Sequence, residues 1–172
     1  LRHAERHHGE QEIVSRRVEG DIHRYTFRDL AARSRRIANA LKGLGVGFGT
    51  TVGTLAWNGY RHYELYYGVS GMQAVIHTVN PRLFEDQIVY IINHAEDRLV
   101  FFDLTFLPIV EAIAGRTKTI RTFVAMTDRQ HMPVQTTIPN LVCYEDLIDQ
   151  HHDRFEWPVF DENQASSLCY TS

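Results

Sequence analysis

Between residues 51 and 82 the chain reads TVGTLAWNGYRHYELYYGVSGMQAVIHTVNPR, an apolar run, a helix-length stretch and a second apolar run joined by short connections. The runs 51–56 and 74–79 have strand length and are rich in Val, Ile and Thr, while 60–72 is long enough for a helix. This is the pattern of one βαβ crossover. Its strands are almost continuously apolar rather than alternating, as a parallel strand covered by helices on both faces requires. The second run stops at Asn80-Pro81, because proline donates no backbone hydrogen bond and biases the residue before it out of the α region.

Downstream the alternation continues. Ile88, Ile91, Ile92 and Ala95 recur at helical spacing over 85–95, with Glu85 and Asp86 in the favourable first turn. RLVFF at 98–102 reads as a buried strand ended by Asp103, residues 106–114 as a helix with Pro108 near its first turn and Gly115 as its stop, and 122–126 as a fourth strand. Short right-handed crossovers turn this order into a doubly wound parallel α/β sheet with flanking helices. No internal repeat suggests a solenoid.

Upstream, 13–15 and 22–26 flank Glu19-Gly20-Asp21, the signal of a small hairpin outside the parallel sheet. Thr26 and Asp29 form a capping box for the first long helix, and Tyr25 with Leu30 forms its hydrophobic staple. Leu30, Ser34, Ile37, Ala38 and Leu41 mark its buried face, and Gly43 or Gly45 ends it. Arg28, Arg33, Arg35 and Arg36 fall mostly off that stripe and read as a solvated face. The start, LRHAERHHGEQ, reads as an exposed amphiphilic arm; His3 and His7 have metal-compatible spacing but no third ligand nearby. His151-His152 likewise reads as a solvated pair. The expected organisation is an arm, hairpin and first helix over 1–50, a parallel core over 51–126, a loop with a short helix at 144–149 over 127–163, and a final strand within 164–172.

Composition excludes several classes. A 172-residue chain with 44% hydrophobic residues can fill a core, and Lys+Arg 18 against Asp+Glu 21 offers no charge for nucleic acid or an anionic membrane. No run reaches membrane-spanning length and the start has no apolar signal core, so the expected compartment is the cytoplasm. Cys143 and Cys169 lack CxxC partners, and both are expected to be small buried or half-buried residues. The sequence holds no GxSxG, HExxH or GxGxxG. The glycines of GLGVGFG follow a helix and precede a strand, the reverse of a phosphate-binding turn, so they read as a helix stop and joint.

Four segments in order, YTFRDL at 25–30, VGTLAWN at 52–58, HTVNPRL at 77–83 and ASSLCYTS at 165–172, resemble the adenylate-forming acyl-CoA synthetases, most closely the medium- and long-chain fatty-acyl-CoA ligases. In that family the last segment continues as a Gly/Ser/Thr-rich loop ending in Pro-Lys-Gly, and Tyr170, Thr171 and Ser172 match its opening. Glu85 departs from the proline common in the family after this run. The resemblance implies an enzyme that activates a fatty acid with ATP to an acyl-adenylate and passes the acyl group to coenzyme A. It also implies nucleotide binding by Tyr170, Thr171 and Ser172, a contact of the Thr171 hydroxyl to phosphate or its Mg ion, and pairing of subunits into a homodimer, which the tyrosine-rich 60–67 stretch and the arm would favour. No catalytic residue is assigned. The chain lacks an initiator Met and stops in mid-element, so it is expected to be an N-terminal piece that is inactive alone; the alternative is a stand-alone, non-catalytic α/β module that binds a partner or nucleotide.

Overall fold

The computed structural model describes residues 1–171. Strands β1 (Glu12–Arg16) and β2 (Ile22–Thr26) form an antiparallel hairpin apart from the main sheet. Helix α2 (Phe27–Gly43) begins where the capping box places it: the Asp29 N–H donates to Thr26 Oγ1 at 3.2 Å, and the Thr26 N–H donates to Asp29 Oδ2 at 2.9 Å. It ends at a left-handed Gly45 (φ +81°), which lets the Val46 N–H return to the Leu41 carbonyl.

Six parallel strands follow: β3 (Thr51–Leu55), β4 (Val75–Thr78), β5 (Leu99–Phe102), β6 (Thr122–Ala125), β7 (Leu141–Cys143) and β8 (Ser167–Leu168). Their spatial order is β7-β6-β5-β3-β4-β8. The intervening helices are α3 (Tyr60–Gly71), α4 (Glu85–His94), α5 (Leu107–Ala114) and α6 (Tyr144–Asp149). Two cores confirm helices on both faces: Ile37, Leu65, Val69, Phe101 and Tyr144 fill one, and Ile88, Ile92, Val100, Phe102 and Ile113 fill the other. All four residues of β5 are buried, which is why its sequence carries no alternation.

Three local features differ from the sequence expectation. Residues 2–8 form a helix, α1 (Arg2–His8), held on α2 by a Glu5–Arg35 ion pair of 2.9 Å, rather than a free arm. A three-residue strand, β7, follows the 127–140 loop; it is too short to show a period. Cys143 is buried but Cys169 is exposed.

The arginines of α2 need the larger correction. Arg28 does face solvent, but Arg36 is half-buried, Arg35 is paired with Glu5, and Arg33 turns inward. Its Nε donates to Glu64 Oε1 at 2.6 Å and its Nη2 to Glu145 Oε2 at 2.9 Å. Glu145 also accepts from Arg61 Nε at 2.7 Å and Tyr60 Oη at 2.9 Å, and Tyr144 Oη donates to Glu64 at 2.8 Å. Arg61 continues to Glu19 on the hairpin turn and to the Met126 carbonyl after β6. Burial pushes the fully enclosed Glu64 carboxyl up against the pull of Arg33 and Tyr144. At Glu145 burial also acts upward, yet Arg33 and Arg61 outweigh it and hold the carboxyl below its ordinary value. The partners lie 31 and 112 residues from Arg33, beyond the reach of helical periodicity. Arg33→Met leaves Glu64 without its cation and Glu145 with Arg61 alone, and it should cost about 3–5 kcal/mol. Urea unfolding measures this, and an unchanged midpoint would show that the network contributes no stability through Arg33.

Candidate functional site

In open parallel sheets, ligands bind beyond the carboxyl ends of the strands, most often where the strand order reverses. Here the reversal lies between β3 and β5, because the chain runs from β3 to β4 and then crosses back to β5. That crevice is largely closed. The Trp57 N–H, just after β3, donates to Asp103 Oδ2 at 2.7 Å, just after β5. Arg17 and Val18 of the hairpin segment cover the remaining space of about 50 Å³. Burial pushes the Asp103 carboxyl up to about 6, against the opposing pull of the Trp57 N–H and Arg61.

A roomier cavity, about 480 Å³, opens beyond the ends of β4 and β8. Asn80, Leu83, Gln87, Tyr90, Tyr170 and Thr171 line it. β8 pairs with β4 through Ile76 with Ser167 and His77 with Leu168, so the final segment does find a sheet partner. Tyr170 and Thr171 therefore emerge at the carboxyl edge, where hydroxyls and amides can meet an anionic ligand. Ser172, assigned to the same role from sequence, lies outside the described residues. The Tyr170 ring lies 5.2 Å from that of His77, and Tyr170 Oη is 2.6 Å from His94 Nδ1. Below it, His77 Nδ1 meets Asp97 Oδ2 at 2.7 Å, with both side chains fully buried. Burial pushes the Asp97 carboxyl up, opposed by His77.

Gly53, in the central strand, is part of the same construction. A Cβ there would lie 2.9 Å from Asp97 Oδ2 and 3.2 Å from Val100 Cγ2. The roles of His94, Asp97 and Asp103 are not visible in sequence patterns. The only local signal is position: Asp97 and Asp103 bracket a four-residue apolar strand, where a buried polar group can reach a neighbouring strand end.

Metal-ligand geometry is limited. Among the described residues, Glu19, Asp128 and His131 bring donor atoms within 4.8 Å of one another. Glu19 is engaged by Arg61 and Thr127, and Asp128 by Arg17 and His131, so this cluster is an ion-pair network already neutralised by arginine. The His3 and His7 rings lie 4.7 Å apart on α1, and His152 is tied to Asn39. Thr171 is exposed at the cavity and offers one hard oxygen donor. That chemistry fits magnesium, which usually takes most of its ligands from phosphate and water.

These features define a doubly wound α/β domain with an open cavity at the ends of β4 and β8. The chain belongs to the adenylate-forming acyl-CoA synthetases: the family model described as "AMP-binding enzyme" matches residues 1–172. It is 52% identical to the 3-methylmercaptopropionyl-CoA ligase of Ruegeria lacuscaerulensis over 99% of this chain and 31% of the relative. It is 46% identical to the medium-chain-fatty-acid–CoA ligase of Ectopseudomonas oleovorans over 100% of this chain and 31% of the relative. The crystal structure of the anthranilate CoA ligase AuaEII with anthranoyl-AMP superimposes with a TM-score of 0.79 at 25% identity, covering 87% of this chain and 28% of that one. The chain thus spans about three tenths of the length of the curated relatives it matches. Among the described residues, no helix is long and apolar enough to cross a membrane.

Asp103 gives a pH prediction. Its folded value, about 6 against an ordinary 3.8, means that the folded state binds more protons than the unfolded state between those values. Its contribution is therefore present below pH 4 and is lost as pH rises through 6. The loss is roughly 3 kcal/mol at about 1.4 kcal/mol for each tenfold change in proton affinity. Asp103→Asn should match wild type near pH 4 and be more stable at pH 7–8. Urea midpoints at the two pH values test this, and a gap that does not widen with pH contradicts it.

Proposed function

We propose that the chain is the N-terminal part of an ATP-dependent fatty-acid–CoA ligase. The match of the family model to residues 1–172 carries the reading, and the emergence of Thr171 at the sheet's carboxyl edge supports it. In the reaction, the fatty carboxylate attacks the α-phosphorus of ATP and displaces pyrophosphate, giving an acyl-adenylate. The thiol of coenzyme A then attacks the acyl carbonyl and AMP departs, leaving an acyl-CoA thioester. Tyr170, Thr171 and Ser172 begin the loop that wraps the triphosphate, and Thr171 supplies a hydroxyl to phosphate or to the accompanying magnesium. When bound, that ion would offset phosphate charge.

The acyl substrate has two readings from named relatives. Medium-chain fatty acids follow from the 46% identical ligase, and a short thioether acid, 3-methylmercaptopropionate, follows from the 52% identical one. Pyrophosphate release by the full-length enzyme with octanoate and with 3-methylmercaptopropionate separates them by kcat/KM. A cytoplasmic site of action fits the need for ATP and coenzyme A.

Thr171→Ala in the full-length enzyme removes one charge-assisted hydrogen bond. The expected cost is on the order of 1.5–3 kcal/mol, or about tenfold or more in the rate of adenylate formation. The 172-residue chain alone should release no pyrophosphate, since the hydroxyls of Thr171 and Ser172 cannot replace the converging amides and cation that a triphosphate needs. Activity in the isolated chain, or an unimpaired Thr171→Ala enzyme, sinks the assignment.

The full-length enzyme is also expected to form a homodimer. Tyr60 is buried in the ion-pair network, so the available face is narrower than the tyrosine run suggests. It comprises Tyr63, Tyr66 and Val14 around a cavity of about 320 Å³. Light scattering should give twice the monomer mass, and a monomer at high concentration removes this part of the proposal.

A further inference from the structure

We propose that His94 and the buried His77–Asp97 pair are positioning residues, acting through Tyr170 to fix where the triphosphate-binding loop leaves the sheet. This rests on the ligase reading above. β8 pairs with β4 over only two residues, so that ladder gives limited control over the direction of the chain beyond Leu168. Control comes instead from the Tyr170 side chain. Its ring packs into the core formed with α4 and α5, and lies 5.2 Å from the His77 ring and 5.9 Å, edge-on, from that of His94. Its hydroxyl meets His94 Nδ1 at 2.6 Å, which tethers the residue before Thr171 to the last turn of α4.

The floor beneath Tyr170 is costly in ways that packing alone does not require. His77 and Asp97 are fully buried, and His77 Nε2 and Asp97 Oδ1 have no hydrogen-bond partner. Apolar residues of similar volume would avoid the desolvation of both groups and often stabilise a fold. The pair also obliges position 53, in the central strand, to be glycine, because Asp97 Oδ2 occupies the space a Cβ would need. A directional Nδ1–Oδ2 bond fixes the His77 ring plane, and that plane supports the Tyr170 ring. Loop placement matters because a displacement of about 1 Å in a binding group can reduce rate by about a hundredfold.

The test uses the full-length enzyme and fatty-acid-driven pyrophosphate release at varied ATP. Tyr170→Phe and His94→Ala should each raise the KM for ATP about fivefold to tenfold and leave the KM for coenzyme A unchanged. The double variant should be no worse than either single one, because both remove the same tether. His94→Gln, which retains a hydrogen-bonding group, should recover most of the ATP affinity. His77→Leu removes the floor and should also raise the KM for ATP; if it fails to fold, the His94–Tyr170 pair, with His94 exposed and Tyr170 half-buried, still decides. An active wild type whose ATP KM is unchanged in both single variants, or whose single effects multiply in the double variant, overturns the inference alone. A wild type that releases no pyrophosphate overturns the ligase reading and this inference with it.

Discussion

The Glu145 carboxylate is the point at which separate parts of this chain are joined. It sits on α6, accepts from Arg33 of α2 and from Arg61 and Tyr60 of α3, and through Arg61 is connected to Glu19 in the hairpin turn. Apolar contacts between helices and sheet are non-directional and tolerate sliding, whereas a carboxylate with several fixed donors does not. The guanidinium of Arg61 also lies 4.8 Å from the Tyr60 ring centroid, and His23 of β2 stacks on the same ring at 3.8 Å. The hairpin is thereby fixed over the sheet although it shares no ladder with it. Replacing such a network by apolar residues could preserve stability, but it would lose the single registration of hairpin, α2, α3 and α6.

That registration has a consequence at the carboxyl edge. With the hairpin held by Arg61 and Glu19, its neighbours Arg17 and Val18 cover the crevice between β3 and β5, and the Trp57–Asp103 hydrogen bond closes its floor. The usual ligand position of an open α/β sheet is therefore occupied by protein. Space for a ligand instead opens two strands away, beside β4 and β8, where Thr171 emerges. The same feature that secures the hairpin thus decides which part of the sheet's carboxyl edge remains open.

Much of the architecture is legible in the sequence because the relevant signals are local. The Thr26–Asp29 capping box, the continuous apolar runs that become β3, β5 and β6, and the stop at Asn80-Pro81 each depend on residues within a few positions. What is missed depends on long separations or very short elements. Arg33 lies on the polar side of its helix by periodicity, and only Glu64 and Glu145 explain why it turns inward. β7 has three residues and β8 two, so neither can display a period. At the site, ASSLCYTS points to Tyr170 and Thr171 through family resemblance, but His94 lies 76 residues away from Tyr170 and bears no pattern of its own.

The shortness of the β8–β4 ladder explains why side chains help to shape the site. A central strand is aligned by neighbours on both sides, as β3 is between β4 and β5. β8 pairs with β4 through two residues, so that ladder specifies its register weakly. Tyr170 adds the missing constraint by placing its ring in a core whose polar floor has only one arrangement, with His77 bonded to Asp97 and Asp97 filling the space above Gly53. The glycine in β3 and the tyrosine that follows β8 are thus two ends of one packing requirement. The sheet interior reaches the cavity beside Thr171 through that contact, even though Gly53 stands on β3 and Thr171 follows β8, with β4 between those strands.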